Sequence, residues 1–249
     1  MARASALGIA LLLGATATVR AQETHIGNLS GHAHSGSLLF RRYCVGCHGQ
    51  AGDGAGENAP WIDPKPRDFT QAVFKCRSTP TGSLPTDDDL FRTIGRGLVT
   101  TNMPPWAPLT SQDRADLVAY VKTFSNRWTT QAAATPIVIP PEPPVTEASI
   151  AHGHEVFQRM DCARCHGPQG HGDGPAASTL TDSKDNPIRP YNFATGSRFK
   201  CGETNQDLYR IFMTGLDGTP MPSFADNIQP ADAWDLVHYL RTLQTTRRH

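Results

Sequence analysis

The chain is written twice. Cys44, Cys47 and His48 in "RRYCVGCHGQ" return as Cys162, Cys165 and His166 in "RMDCARCHGP", 118 residues later. At the same offset of 118, "TNMPPW" with Met103 meets "TPMPSF" with Met221, and "DLFRTI" from Asp89 meets "DLYRIF" from Asp207. "DLVAYVKTF" from Asp116 meets "DLVHYLRTL" from Asp235 at an offset of 119. A solenoid repeats every 20–50 residues or so. A period this long is instead a duplicated domain, so one fold must be solved in about half the chain and used twice.

Between the copies lies "ATPIVIPPEPPVTEAS", with five prolines from Pro136 to Pro144. Such a run cannot continue a helix and favours an extended, semi-rigid connector. The expected organisation is a leader over 1–21, a first domain over 22–130, a Pro-rich linker over 131–145 and a second domain over 146–249. Within each copy the pattern is helical. A helix leads into the Cys pair (37–43 and 151–160). A second starts at Thr86 or Thr204 with an Asp three residues on, as in a capping box. A third carries Leu117, Val118 and Val121, or Leu236, Val237 and Leu240, on one face. No long alternating strand is visible, so the fold class is all-α. About a hundred residues of short helices make a thin core, and each copy needs something large and apolar to pack around.

The opening "MARASALGIALLLGATATVRAQ" has a positive start, an apolar run and the small residues that a signal peptidase needs at Val19-Arg20-Ala21. It reads as a cleaved secretory signal with Gln22 as the mature N-terminus. The run is too short to span a bilayer comfortably, so no stable membrane insertion of the mature chain is expected. The location expected is the oxidising periplasm. Lys plus Arg and Asp plus Glu balance at 23 each; without Arg3 and Arg20 the mature chain has 21 against 23, or −2. This balance does not suggest a nucleic-acid partner.

Three chemistries use a Cys-x-x-Cys pair. Structural zinc needs four ligands at compact spacing, whereas these pairs lie 118 residues apart and leave the adjacent His without a role. Dithiol exchange sets the pair after a strand at a helix start, and no strand pattern precedes Cys44 or Cys162. Covalent haem explains each residue: two thiols bond the two vinyl groups on one haem edge, and the next His binds the iron. Cys44, Cys47, Cys162 and Cys165 are therefore the attachment candidates, and His48 and His166 the proximal ligands, for two covalently bound haem c. Met103 and Met221 each follow their His by 55 residues and precede a proline, Pro104 or Pro222. The common spacing selects them as sixth ligands over core filler, while Met160 and Met213 read as packing. Arg67, Arg77 and Arg189 are propionate candidates that read equally well as solvated surface.

Cys76 and Cys201 remain, both in "FKC". If the copies pack about a pseudo-two-fold axis, these residues can meet as a disulfide between the domains; separate buried thiols, an intermolecular link and iron ligation are the alternatives. His25, His32 and His34 read as a polar N-terminal tail, and His152 and His154 as an exposed helix face. Trp106 and Phe224, three residues after each Met, are expected against the haem.

On these motifs the chain resembles class I cytochromes c: Cys-x-x-Cys-His-Gly early in each copy, a Met-Pro loop late, and a closing helix with an aromatic. As a pair it resembles periplasmic dihaem cytochromes c. The resemblance implies an all-α haem-wrapping fold, His/Met iron in each half and electron carriage. A redox protein or respiratory complex would serve as donor and acceptor. "FKCRSTPTGSLPTDDDLFRTI" also resembles a segment of cytochromes that serve periplasmic respiratory complexes. The second copy loses seven residues there and gains "TLTDSKDNPIRP" upstream. The rival readings are a dihaem enzyme of peroxidase or thiosulfate-dehydrogenase type, which needs one replaceable iron ligand, and a haem subunit fixed in a membrane complex.

Overall fold

The computed structural model describes residues 23–132, 134–196 and 198–244, and the leader expected over 1–21 lies outside the described residues. The chain enters through a feature absent from the helical reading. Two short antiparallel strands, β1 (His25–Ile26) and β2 (Leu29–Ser30), pair His25 with Ser30. Gly27 at φ 55° supplies the left-handed backbone that this two-residue turn needs. His25 therefore sits in a hairpin. His32 caps the first helix, and its backbone N–H donates to Asp116 Oδ1 at 2.8 Å. His34 lies in that helix. The N-terminal histidines are thus built into the fold rather than forming a tail, because hairpin and helix bury Ile26 and Phe40.

The first half then runs α1 (Ala33–Tyr43), α2 (Val45–His48), α3 (Asp87–Arg96), α4 (Ser111–Lys122) and α5 (Arg127–Thr130). The second half runs α6 (Glu147–Arg159), α7 (Ala163–His166), α8 (Asn205–Thr214) and α9 (Pro230–Thr242). α3 and α8 both begin with full capping boxes, Thr86 with Asp89 and Thr204 with Asp207. Each satisfies two orphan N–H groups and places a carboxylate at the positive helix end. The helices before the Cys pairs start about a turn earlier than the sequence pattern indicates; the Thr146–Ser149 capping box sets the start of the second, while His32 heads the first without a side-chain cap bond.

The frame of each half is a close crossing of its first and last long helices: α1 on α4, and α6 on α9. Glycine permits it. A Cβ placed on Gly36 would lie 2.0 Å from the Asp116 carbonyl oxygen, and one on Gly153 would lie 2.0 Å from that of Asp235. Leu117, Val118 and Val121 of α4 are buried beneath the crossing, as are Leu236, Val237 and Leu240 of α9.

The halves meet along a polar, covalently fixed seam. Cys76 and Cys201 are bonded. Next to them the wholly buried Arg77 side chain pairs with Asp217 at 2.8 Å and donates to the Thr214 carbonyl at 2.5 Å. Thr81 Oγ1 and the Gly82 N–H donate to the two Asp217 oxygens at 2.8 and 2.9 Å. Lys184 reaches back to Asp68 at 2.7 Å. The proline-rich connector is extended and pinned to both halves. Ile137 N–H donates to Ser78 O at 2.8 Å, and Trp234 Nε1 to Pro140 O at 3.2 Å.

Candidate functional site

Each Cys-x-x-Cys-His motif is one turn of helix. In α2, His48 N–H bonds Cys44 O at 2.9 Å; in α7, His166 N–H bonds Cys162 O at 2.9 Å. Residues three apart share a helix face, so the two thiols of each motif project together with the histidine beside them. Gly49 and Gly167, at φ 75° and 78°, stop the turn at once.

The turn alone does not orient the imidazole. A loop carbonyl does. His48 Nδ1 lies 3.0 Å from the Arg67 carbonyl, and His166 Nδ1 lies 3.0 Å from the Tyr191 carbonyl. A carbonyl only accepts, so each Nδ1 carries the proton and each Nε2 keeps its lone pair. Burial pushes both imidazoles below their ordinary pKa, which keeps them neutral. A neutral imidazole with a fixed tautomer is the form that binds a metal.

In the first half, Cys44, Cys47, His48 and Met103 all line one cavity of about 350 Å³. Phe40, Phe69, Ile94 and Trp106 form apolar walls. The Met103 loop is closed by Leu98 N–H to Met103 O at 3.1 Å and by Met103 N–H to Thr101 Oγ1 at 3.1 Å. The same pair of bonds recurs in the second half, Leu216 to Met221 at 3.1 Å and Met221 to Thr219 at 3.2 Å. Met221 packs on the second core together with Cys162, Met160, Met213 and Phe224.

The four cysteines of the motifs are free thiols. Burial, with the neighbouring cysteine as a smaller contribution, pushes the Cys44 thiol up to about 12. Burial likewise pushes Cys162 up to about 12. Thiols held protonated in this way are poor exchange nucleophiles. Among the described residues no three His, Cys, Asp or Glu side chains gather as a metal site. In the first half, two thiols on one helical face, a lone-pair nitrogen beside them, a thioether lining the same cavity and aromatic rings in its wall do fit a covalent haem.

Of the arginines read as propionate candidates, Arg67 lines the cavity, Arg77 is consumed by the seam, and Arg189 is exposed. Two cavity residues were missed. Lys75 and Lys200 line the same cavity, the latter supplied by the second half. Both stand in the repeated "FKC", where the cysteine alone had carried the argument.

Residues 31–121 match the family described as cytochrome C oxidase, cbb3-type, subunit III, and residues 150–244 match the family described as cytochrome c. No curated protein matches the chain. Among solved structures, a chain of the reducing HAO-like protein complex of Kuenenia stuttgartiensis is similar at 39% identity and a TM-score of 0.83. The match covers 86% of this chain and 97% of that one.

Proposed function

Because this chain belongs to the c-type cytochromes, with two such domains in tandem, we propose that it is a periplasmic dihaem carrier. It passes electrons between redox partners and binds one haem in each half. Cys44 and Cys47 hold the first haem by thioether bonds, with His48 and Met103 as iron ligands. Cys162, Cys165, His166 and Met221 do the same in the second. A bound haem supplies a one-electron iron couple. The chain supplies the rest. The Arg67 and Tyr191 carbonyls fix His48 and His166 as Nε2 ligands. Met103 and Met221 favour the reduced state and leave no open position. Phe40, Phe69 and Ile94 exclude water around the first site. The buried crossings of α1 on α4 and α6 on α9 keep these groups in place between oxidation states.

The observation that carries this reading is the convergence of Cys44, Cys47, His48 and Met103 on one cavity. The similar chain in Kuenenia stuttgartiensis is part of a complex, which supports a docked role against a larger redox protein. No described helix is long and apolar enough to cross a membrane.

The test is the visible spectrum of protein matured with haem-attachment machinery, oxidised and reduced, with and without carbon monoxide. Low-spin c-type bands for two haems, unchanged by carbon monoxide, are expected. A carbon monoxide shift in about half the haem would replace the carrier with the enzyme reading, and absence of haem bands would refute both.

A further inference from the structure

One wall of the first cavity carries three cations that, among the described residues, make no direct ion pair. Arg67, Lys75 and Lys200 line it together. Asp63, Asp68 and Asp182 lie close enough for their charges to act on this wall, but among the described residues none of them pairs with Arg67, Lys75 or Lys200. Asp68 is held by Lys184 at 2.7 Å and by Thr70, while Asp182 accepts from Lys184 N–H, Asn186 N–H and Asn186 Nδ2 within its own loop. Lys65, a fourth cation on this cavity, is satisfied by the carbonyls of Ala59 and Pro60 at 3.1 and 3.0 Å. Among the described residues, Lys75 and Lys200 have no carboxylate within ion-pair distance.

The cost of this arrangement is visible in the lysines. Burial, and then the charges of Arg67 and Lys200, push Lys75 down to about 8. Burial, followed by the charge of Arg67, lowers Lys200, against the opposing charge of Asp63. Three half-buried cations that repel one another are unfavourable unless an anion enters among them. The haem edge tied to Cys44 and Cys47 is its vinyl edge; its other edge bears two propionate carboxylates, which are ligands of the required charge.

We propose that Arg67, Lys75 and Lys200 form a carboxylate cradle, shared by the two domains, for the propionates of the haem held by Cys44 and Cys47, and that Lys200 raises the reduction potential of that haem from across the seam. The inference rests on the reading of the chain as a dihaem carrier. Lys200 reaches the first cavity because its neighbours are fixed: Phe199 is buried, and Cys201 is bonded to Cys76, which adjoins Lys75. A cation beside a propionate offsets negative charge that would otherwise favour the oxidised iron, so its loss lowers the potential. The disulfide thereby sets the electrochemistry of a haem to which it is not bonded, through the lysine that it holds in place.

The experiment is a redox titration of the holoprotein followed in the visible bands, with haem content and spin state measured on the same samples. The two steps are assigned with Met221→His, which lowers the second potential alone. Lys200→Met is expected to lower the first potential by roughly tenfold in the ferric/ferrous equilibrium, about 59 mV for a one-electron couple, and to leave the second in place. Lys200→Arg should restore most of it. Arg198→Met removes an exposed cation two residues away that does not line this cavity and should move neither step. Cys76→Ser with Cys201→Ser should shift the first step in the same direction as Lys200→Met. The inference is overturned if Lys200→Met, with two low-spin haems, keeps both potentials at wild-type values, moves both equally, or behaves like Arg198→Met. A protein without two haems would instead remove the functional reading and this inference with it.

Discussion

Replacing Arg77 by methionine tests how the two halves are held. The arginine side chain is fully buried and its partner Asp217 is only 14% exposed. One guanidinium serves four acceptors: Asp217 at 2.8 Å, Thr214 O at 2.5 Å, Phe74 O at 3.3 Å and Pro80 O at 3.2 Å. Methionine keeps most of the apolar stem and removes every one of these bonds. Asp217 retains the Thr81 and Gly82 donors but loses its counter-charge. Removing one partner of a buried ion pair costs about 3–5 kcal/mol, because the other charge is left uncompensated. For a chain of this size each kcal/mol lowers Tm by about 2–4 °C, so Arg77→Met should melt roughly 6–20 °C below the parent by calorimetry of the holoprotein. The double variant Arg77→Met with Asp217→Leu should recover part of the loss, since no orphan charge remains. A Tm for Arg77→Met within about 2 °C of the parent would refute the reasoning. It would mean that the pair contributes no more than a solvated surface pair.

Three further outcomes are expected. Cys76→Ser with Cys201→Ser opens a crosslink spanning 125 residues, worth about 5 kcal/mol by chain-entropy arithmetic, and should lower the urea midpoint accordingly; an unchanged midpoint counts against a staple. Gly153→Ala places a methyl group 2.0 Å from the Asp235 carbonyl and should destabilise the second half by at least about 1–3 kcal/mol, read as earlier loss of the second haem environment on heating. His152 is raised above its ordinary value of 6.5, first by its bond to Asp235 at 2.8 Å and then by the charges of Asp232, Asp235 and Glu155. Its contribution is fully present below 6.5 and is lost as pH rises through the higher folded value. The side chain is exposed, so His152→Gln should flatten that decline only slightly in Tm measured from pH 5.5 to 8.5, and an equal decline in both proteins would rule the histidine out.

The turn that carries each Cys-x-x-Cys-His motif was legible because it is a local feature. Cys-x-x-Cys-His must close one helical turn, and the structure builds that turn at Val45–His48 and Ala163–His166. The capping boxes at Thr86 and Thr204 were legible for the same reason, each lying within four residues. The partners of His48 and His166 were not. Arg67 and Tyr191 offer backbone carbonyls, which carry no residue-type signal and lie 19 and 25 residues away. Arg77 read either as a propionate candidate or as solvated surface, yet it is buried and serves the seam through Asp217, whose counterpart in the first copy is Val99. A departure from the repeat marked that contact.

The sequence alone determined the duplication, the helical class and the Cys-x-x-Cys-His turn of each half, because these follow from periodicity and from residues within one or two turns of each other. Only the tertiary structure decided which surfaces of the two halves meet, that Cys76 reaches Cys201, and that Lys200 closes a cavity belonging to the other domain. The docking of two units built on the same plan is settled by where they differ. A buried arginine finds its aspartate, and a lysine follows its neighbouring cysteine across the seam. Such long-range encounters depend on the packed shape of both halves at once, and no local pattern encodes them.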